Sequence, residues 1–278
     1  MAQLEAEHGC VHALAGPLSA PETLARIKEE APELVIHLAA VVSSAAEADF
    51  DLGMEVNLQS TLKLLGACHR PEKPPVVIFS SSVAVFSCAD NETIQDTCLP
   101  EPHSSYGTQK LIGELLVRDA TRKGFINGRS LRFPTISVRP GKPNLAASSF
   151  ASGIIREPLA GLPSTLPVGQ GLRLHLASPR VALKAMLHAI SLPQDQLNGE
   201  TTITLPGISV TVAEMVEALA RVAGAQVAAL IKHAPDPNIE AIVASWPGEI
   251  VTPRALALGF QADAGFDDLI LHHMKAVD

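Results

Sequence analysis

The sequence predicts an α/β fold: a parallel sheet with helices on its faces, followed by a smaller α/β lobe. Three observations carry this. In the first half, short apolar runs alternate with amphipathic helical stretches, the pattern of repeated βα units. Those runs are continuously apolar, as suits strands buried on both faces. In the second half, Pro140, Gly141, Pro143, Pro158, Gly161, Pro163 and Pro167 break the chain into shorter pieces, so the organisation changes near Pro140.

The elements follow in order. Ser19 to Glu30 reads as a helix with a Ser cap, Pro21 early, and Leu24 and Ile27 as apolar positions. Leu34 to Ala40 reads as a buried strand. Phe50 to His69 is predicted helical, with Met54, Leu58, Leu62 and Leu65 as its apolar stripe, and Pro71, Pro74 and Pro75 end it. Val76 to Phe79 is the next strand and runs into Ser80-Ser81-Ser82. Ser105 to Lys123 is a helix closed by Gly124, and Ser130 to Ile136 is a strand. Beyond Pro140, Ser178-Pro179 opens a helix to about Leu192, Thr211 caps one over Val212 to Val222, and Asn238 to Ser245 and Phe266 to Lys275 are further helices. The expected division is 1–140 and 141–278, with a return to the sheet near 172–192 and its crossing near Leu172 to Leu176.

The chain has 278 residues, 47% hydrophobic and 18% charged, enough for a real core and against long disorder. Its net charge of −8 argues against nucleic acid or an anionic membrane as partner. No apolar run is long enough to span a bilayer, and the opening MAQLEAEHGC lacks the charged and apolar regions of a signal peptide, so a cytoplasmic protein is expected. Cys10, Cys68, Cys88 and Cys98 form no CxxC pair, and the scattered histidines include no HExxH; no metal site is expected.

Tyr106-Gly107-Thr108-Gln109-Lys110 is the sharpest chemical feature. At i and i+4 on a helix, tyrosine and lysine share a face. An ammonium near a phenol favours the phenolate, which predicts a lowered Tyr106 pKa and a proton shuttle. Taken alone, the pair also fits an amphipathic surface. Ser80-Ser81-Ser82 ends a strand, and ligands of open parallel sheets bind outside the carboxyl ends of strands. Ser82 can hold a substrate oxygen there while Tyr106 moves its proton; alone, the serines would be a strand-end turn.

With these residues stand His37-Leu38-Ala39-Ala40, Val56-Asn57-Leu58 and Ser80-Ser81-Ser82-Val83-Ala84-Val85-Phe86. Together they resemble the H-x-A-A, V-N-x, S-S-S-x-x-V-Y/F and Y-x-x-x-K motifs of the extended short-chain dehydrogenases/reductases, the NAD-dependent epimerase/dehydratase group. A narrower resemblance is to the D-erythronate dehydrogenases, through residues 45–53, 105–110, 138–144, 152–158 and 177–180. The resemblance implies a Rossmann-like sheet and NAD as cofactor. It places Leu38, Ala39 and Ala40 along the cofactor, with Ser80, Tyr106, Lys110, Pro134 and Ile136 at its nicotinamide end and Asn57 supporting a relay water. It implies Ser82, Tyr106 and Lys110 as catalytic residues oxidising a hydroxyl of a small sugar acid. For that substrate's carboxylate, Arg173 is the first candidate, ahead of Arg139, Lys142 and Arg180, because arginine forms the better fork. Ser43 and Asn144 are candidates for substrate hydroxyls. The family often dimerises through the helices starting near Phe50 and Ser105; Leu111, Leu115 and Leu116 fit a homodimer contact or a core equally.

One departure stands out. The family's G-x-x-G-x-x-G turn, which binds pyrophosphate on a helix N-terminus, has no match before His37. The expectation is that the first βαβ is missing, with Cys10 to Ala15 as the third strand, and that Gly16-Pro17-Leu18 replaces G-D-L. Two alternatives therefore accompany the dehydrogenase reading. One is a sugar-nucleotide epimerase or dehydratase with the same three residues, although Arg139 to Asn144 departs from its N-x-Y-G-P. The other is a non-catalytic remnant that binds NAD weakly or not at all.

Overall fold

The computed structural model describes residues 11–88, 92–141 and 146–277. Helix α1 (Pro21–Glu30) starts on Pro21 and closes at Ala31, whose φ is +46°. Strand β1 (Leu34–His37) leads through a loop to α2 (Ser43–Ala48). The single helix expected next is three pieces: α3 (Phe50–Gly53), a π-helical turn over Met54–Gln59, and α4 (Ser60–Ala67). That turn rotates the stripe. Asn57, Thr61, Leu64 and Leu65 are buried, while Leu62, expected on the apolar face, is exposed.

Strand β2 (Val76–Ser82) is followed by a short β3 (Thr93–Gln95), α5 (Ser105–Arg122), β4 (Asn127–Phe133) and β5 (Thr135–Ile136). In the second half come α6 (Phe150–Leu159), β6 (Ser164–Leu166), β7 (Arg173–Ala177), α7 (Pro179–Ser191), β8 (Thr202–Thr204) and β9 (Ile208–Thr211). The chain continues through α8 (Val212–Ala223), α9 (Ala225–Ala228), β10 (Ile231–His233), α10 (Pro237–Ala244), β11 (Glu249–Val251), α11 (Pro253–Ala257) and α12 (Phe266–Val277).

The main sheet has the order β1-β2-β4-β8 and every pairing in it is parallel, the α/β architecture expected. Its return strand differs from expectation. Residues 173–177 pair with β5 and, antiparallel, with β9 in a separate three-stranded sheet, and Thr202–Thr204 is the strand that joins β4. Helix α7 is the part of 172–192 that returns to the main sheet. Its Ala185 and Ala189 pack with Ile78 and Leu131. Side chains along β2 alternate between the two faces: Ile78 meets α7, while Val77 and Phe79 meet Leu64, Leu65 and Val117 from α4 and α5. The largest core cluster lies in the second half, around Ile154, Leu174, Leu176, Met215, Leu219 and Ile270.

Among the described residues β1 is an edge strand; Leu34 and Ile36 along it and Leu38 just after it are exposed, so the apolar run at 34–40 is not the buried strand expected. Residues 11–15 form no strand, so the expected third strand is not seen there; Met1 to Cys10 lie outside the described residues. No described helix is long and apolar enough to cross a membrane. The three leucines weighed for a dimer separate. Leu111 packs with Val83, Val85 and Phe86, Leu116 packs with Val77 and Val117, and Leu115 is exposed.

Candidate active site

The site is built where β2 ends and α5 begins. Ser104 caps α5, its hydroxyl accepting the Gly107 N–H at 3.1 Å. Gly107 lets the helix press on the turn after β2: a Cβ there would lie 2.2 Å from the Ala84 carbonyl oxygen. This close approach sets the first turn of α5, with Tyr106 in it, beside Ser82. Ser82 accepts the Ala84 N–H at 3.1 Å and shares a side-chain hydrogen bond with Tyr106.

Lys110 is almost fully buried one turn further on. Its Nζ donates to the Ser80 carbonyl at 2.6 Å and lies 5.0 Å from the Phe79 ring centroid and 5.5 Å from that of Tyr106. Burial pulls its pKa down to about 8, against the pull of Glu114 in the other direction. The Tyr106 phenol departs from expectation. Burial pushes it up to about 12, and the groups that act to lower it are Ser82 and the Arg139 guanidinium, not Lys110. The ammonium faces the Ser80 carbonyl, so the positive charge acting on the phenol comes from the opposite wall.

That wall belongs to a cavity of about 310 Å³ outside the strand ends. Leu38 and Ser43 line it from the β1 side, Ser80 and Ser82 from β2, Tyr106 from α5, and Pro134 and Ile136 from beyond β4. Arg139 lines it too, and among the described residues it makes no ion pair with a carboxylate. Its backbone is fixed instead, the N–H donating to Ser152 Oγ at 3.0 Å and the carbonyl accepting from Arg156 at 2.8 Å.

Other candidates lie elsewhere. Arg173 stands on β7 outside the cavity wall, its Nη1 3.4 Å from Ser209 Oγ. Asn144 and Lys142 fall outside the described residues. Ala39 and Ala40 are not in the cavity wall. Asn57 clamps the loop beyond β1: its Oδ1 accepts the Val41 N–H at 2.9 Å, and its Nδ2 donates to the Val41 carbonyl and to Gln109 Oε1. Arg180 reaches towards the buried Asp263 at 3.8 Å.

Sequence reasoning missed two things. Trp246, the chain's single tryptophan, lines the cavity from the second half. Below the site, the buried Glu114 carboxylate accepts the Ser81 hydroxyl and, side-on, the Nε and Nη2 donors of the Arg132 guanidinium, at 2.9 and 2.7 Å. Glu114 stands four positions after Lys110, so its place on the Tyr106–Lys110 face was readable from the i+4 spacing.

Residues 2–200 match the profile of the NAD dependent epimerase/dehydratase family. The chain belongs to that family. As a member it is an extended short-chain dehydrogenase/reductase. It is 50% identical over 265 residues to D-erythronate dehydrogenase of Cupriavidus necator, covering 95% of this chain and 82% of that protein. It is 46% identical over 250 residues to D-erythronate dehydrogenase of Haemophilus influenzae, covering 90% of this chain and 79% of that protein. Its fold matches the crystal structure of a nucleoside-diphosphate-sugar epimerase from Agrobacterium tumefaciens with a TM-score of 0.89 at 41% identity, over 95% of this chain and 78% of that one.

The family's cofactor is NAD, and the cavity suits its nicotinamide-ribose end. Tyr106 and Ser80 form one wall with the Lys110 ammonium behind it, and Pro134 and Ile136 form another. Among the described residues no glycine-rich turn opens a helix beside β1 for the pyrophosphate.

Proposed function

We propose that the chain oxidises a secondary hydroxyl of a small sugar acid of the D-erythronate type, with Ser82, Tyr106 and Lys110 as the reacting group. The observation that carries this reading is the small cavity in which Tyr106 and Ser82 face Arg139, a guanidinium with no carboxylate partner among the described residues. A carboxylate offers that guanidinium a charged acceptor, and the hydroxyl beside it then lies towards the Ser82–Tyr106 pair. When bound, NAD supplies the hydride acceptor.

The chain's own residues handle the oxygen and the proton. Ser82 Oγ donates to the substrate oxygen and steadies its developing charge. Tyr106 Oη takes the hydroxyl proton. Burial keeps the phenol protonated at neutral pH, so the carbonyl-reducing direction starts with its proton in place and oxidation is favoured by alkaline pH. Lys110 holds the Ser80 carbonyl and presents its charge beneath the ribose end of the cavity.

The same three residues would serve a sugar-nucleotide epimerase. The neighbouring cavity speaks against a diphosphate: its volume is about 810 Å³, and Glu47, Glu157 and Asp236 lie in its wall. Arg156 beside it already pairs with Glu157. The test is NADH formation from D-erythronate, followed by absorbance, in the unaltered chain and in Tyr106→Phe. Turnover lost by a hundredfold or more in the variant supports the reading. Failure of the unaltered, folded chain to reduce NAD, or interconversion of a nucleoside-diphosphate sugar instead, refutes it.

A further inference from the structure

The loop between β1 and α2 brings Leu38 and Val42 to the wall of the catalytic cavity, and Ser43 follows at the start of α2. Within that loop, Val41 is held by the Asn57 carboxamide, which takes its N–H at 2.9 Å and donates to its carbonyl at 3.1 Å. These two bonds do for the loop what a neighbouring strand does for a ladder residue. The carboxamide has one further N–H, and Gln109 Oε1 accepts it at 2.7 Å. Both N–H groups of Asn57 are therefore used inside the protein, and its carbonyl accepts the Thr61 hydroxyl at 2.8 Å. Asn57 acts here as a clamp on the loop, not as a donor to a water in the cavity.

Gln109 belongs to α5, directly before Lys110, and is buried at 1% exposure. It fits because α3 ends on a glycine: a Cβ at Gly53 would lie 2.6 Å from Gln109 Nε2 and 3.1 Å from Oε1. The glutamine thus joins three parts of the fold. These are the helix carrying Tyr106 and Lys110, the π-helical turn carrying Asn57, and the loop on the cavity wall. An apolar side chain would fill the same space at less cost of burial, so what the amide adds is its acceptor oxygen. Without that oxygen one Asn57 N–H is stranded. The carboxamide relieves the cost by swinging towards water, which releases Val41.

We propose that Gln109 is a positioning residue for the cofactor site: acting through Asn57 and Val41, it holds the Leu38–Val42 wall in place against the helix that carries Tyr106 and Lys110. The proposal rests on the reading of this cavity as the nicotinamide-ribose end of the NAD site. The clamp itself does not depend on that reading.

The test combines amide hydrogen exchange of the full chain without cofactor and calorimetric titration of NAD. In Gln109→Met the Val41 amide is expected to exchange about tenfold faster, while the core amides of Ile78 and Leu131 stay within about twofold. The dissociation constant for NAD is expected to rise by about tenfold. Gln109→Glu keeps an acceptor oxygen and should recover most of both effects. Asn57→Ala should reproduce them, and adding Gln109→Met to it should change little more, because the glutamine acts through the asparagine. Gly53→Ala presses a Cβ on the Gln109 amide without removing any bonding group; it should also quicken Val41, and it decides if Gln109→Met does not fold. Unchanged exchange at Val41, equal quickening of Val41 and the core amides, or effects that add to those of Asn57→Ala overturn the clamp. A faster Val41 with unchanged NAD affinity overturns its role in the cofactor site. An unaltered chain that takes up no NAD fails the cofactor reading, and the Val41 exchange still decides the clamp.

Discussion

Replacing Glu114 with glutamine keeps the side chain's shape and removes its charge. The carboxylate is 3% exposed and the Arg132 side chain 8%, so the variant strands a guanidinium out of water. Removing one partner of a buried pair costs about 3–5 kcal/mol, because the surviving charge remains desolvated. Glutamine retains one carbonyl for Arg132 or Ser81, which places the expected loss near the lower end, about 3 kcal/mol. That is a large share of the roughly 5–15 kcal/mol that holds a domain together. Urea unfolding followed by circular dichroism measures it. The diagnostic comparison is the double variant Glu114→Gln/Arg132→Met. If the stranded charge is the cause, the double variant regains most of the loss. A single-variant loss below about 1 kcal/mol, or a double variant as unstable as the sum of the singles, refutes this reasoning.

Gly107→Ala should destabilise the chain by about 1–3 kcal/mol and reduce turnover, since its Cβ would meet the Ala84 carbonyl at 2.2 Å. Gly66→Ala, with nothing within 4 Å, should instead stabilise by about 0.4–1 kcal/mol, and paired thermal melts compare the two. Acid should weaken the fold below pH 6.5. Burial holds both His37 and His175 at about 4, from 6.5, so the unfolded chain binds protons that the folded chain refuses, and stability falls as pH drops from 6.5 towards 4. That gap is roughly 3 kcal/mol per histidine, and urea midpoints that do not change between pH 7.5 and pH 5 would contradict it. On the proposed function, Arg139→Ala should raise KM for the sugar acid by about ten- to a hundredfold, as for one charged hydrogen bond, and should also lower kcat for oxidation near neutral pH, since the guanidinium helps to hold the Tyr106 phenol down. An unchanged KM in initial-rate assays would remove Arg139 from the carboxylate.

The legible part of this protein was local. Strand β2 announced itself as a buried apolar run, whereas β1, read as buried from its own apolar run, is exposed; the Ser178 and Thr211 caps marked their helices to within a residue. Tyr106 and Lys110 were legible through spacing, and Ser82 through its place after an apolar strand. What escaped depended on the approach of distant segments. No pattern around Arg173 distinguishes it from Arg139; only the pairing of β7 with β9 moves one aside, while the turn after β5 leaves the other on the cavity wall. Trp246 meets residues more than a hundred positions away. The short strands β3, β6, β10 and β11 each have three residues, too few for a period to show. The Tyr106 pKa was misjudged because spacing reveals the neighbouring lysine and not the degree of burial.

The π-helical turn at Met54–Gln59 carries one more residue than an α-helix would need to cover the same path. It behaves as a spare link. Deleting a single residue there would let the turn relax to an α-helix and leave α4 in place on the core, so the fold is expected to absorb the change. The side chains of α3 upstream would keep their bearing, and those within the turn itself would shift around the helix axis. Asn57 would then leave Val41 and Gln109. In this stretch, chain length sets where a side chain points while leaving the packing of the helix beyond it unchanged.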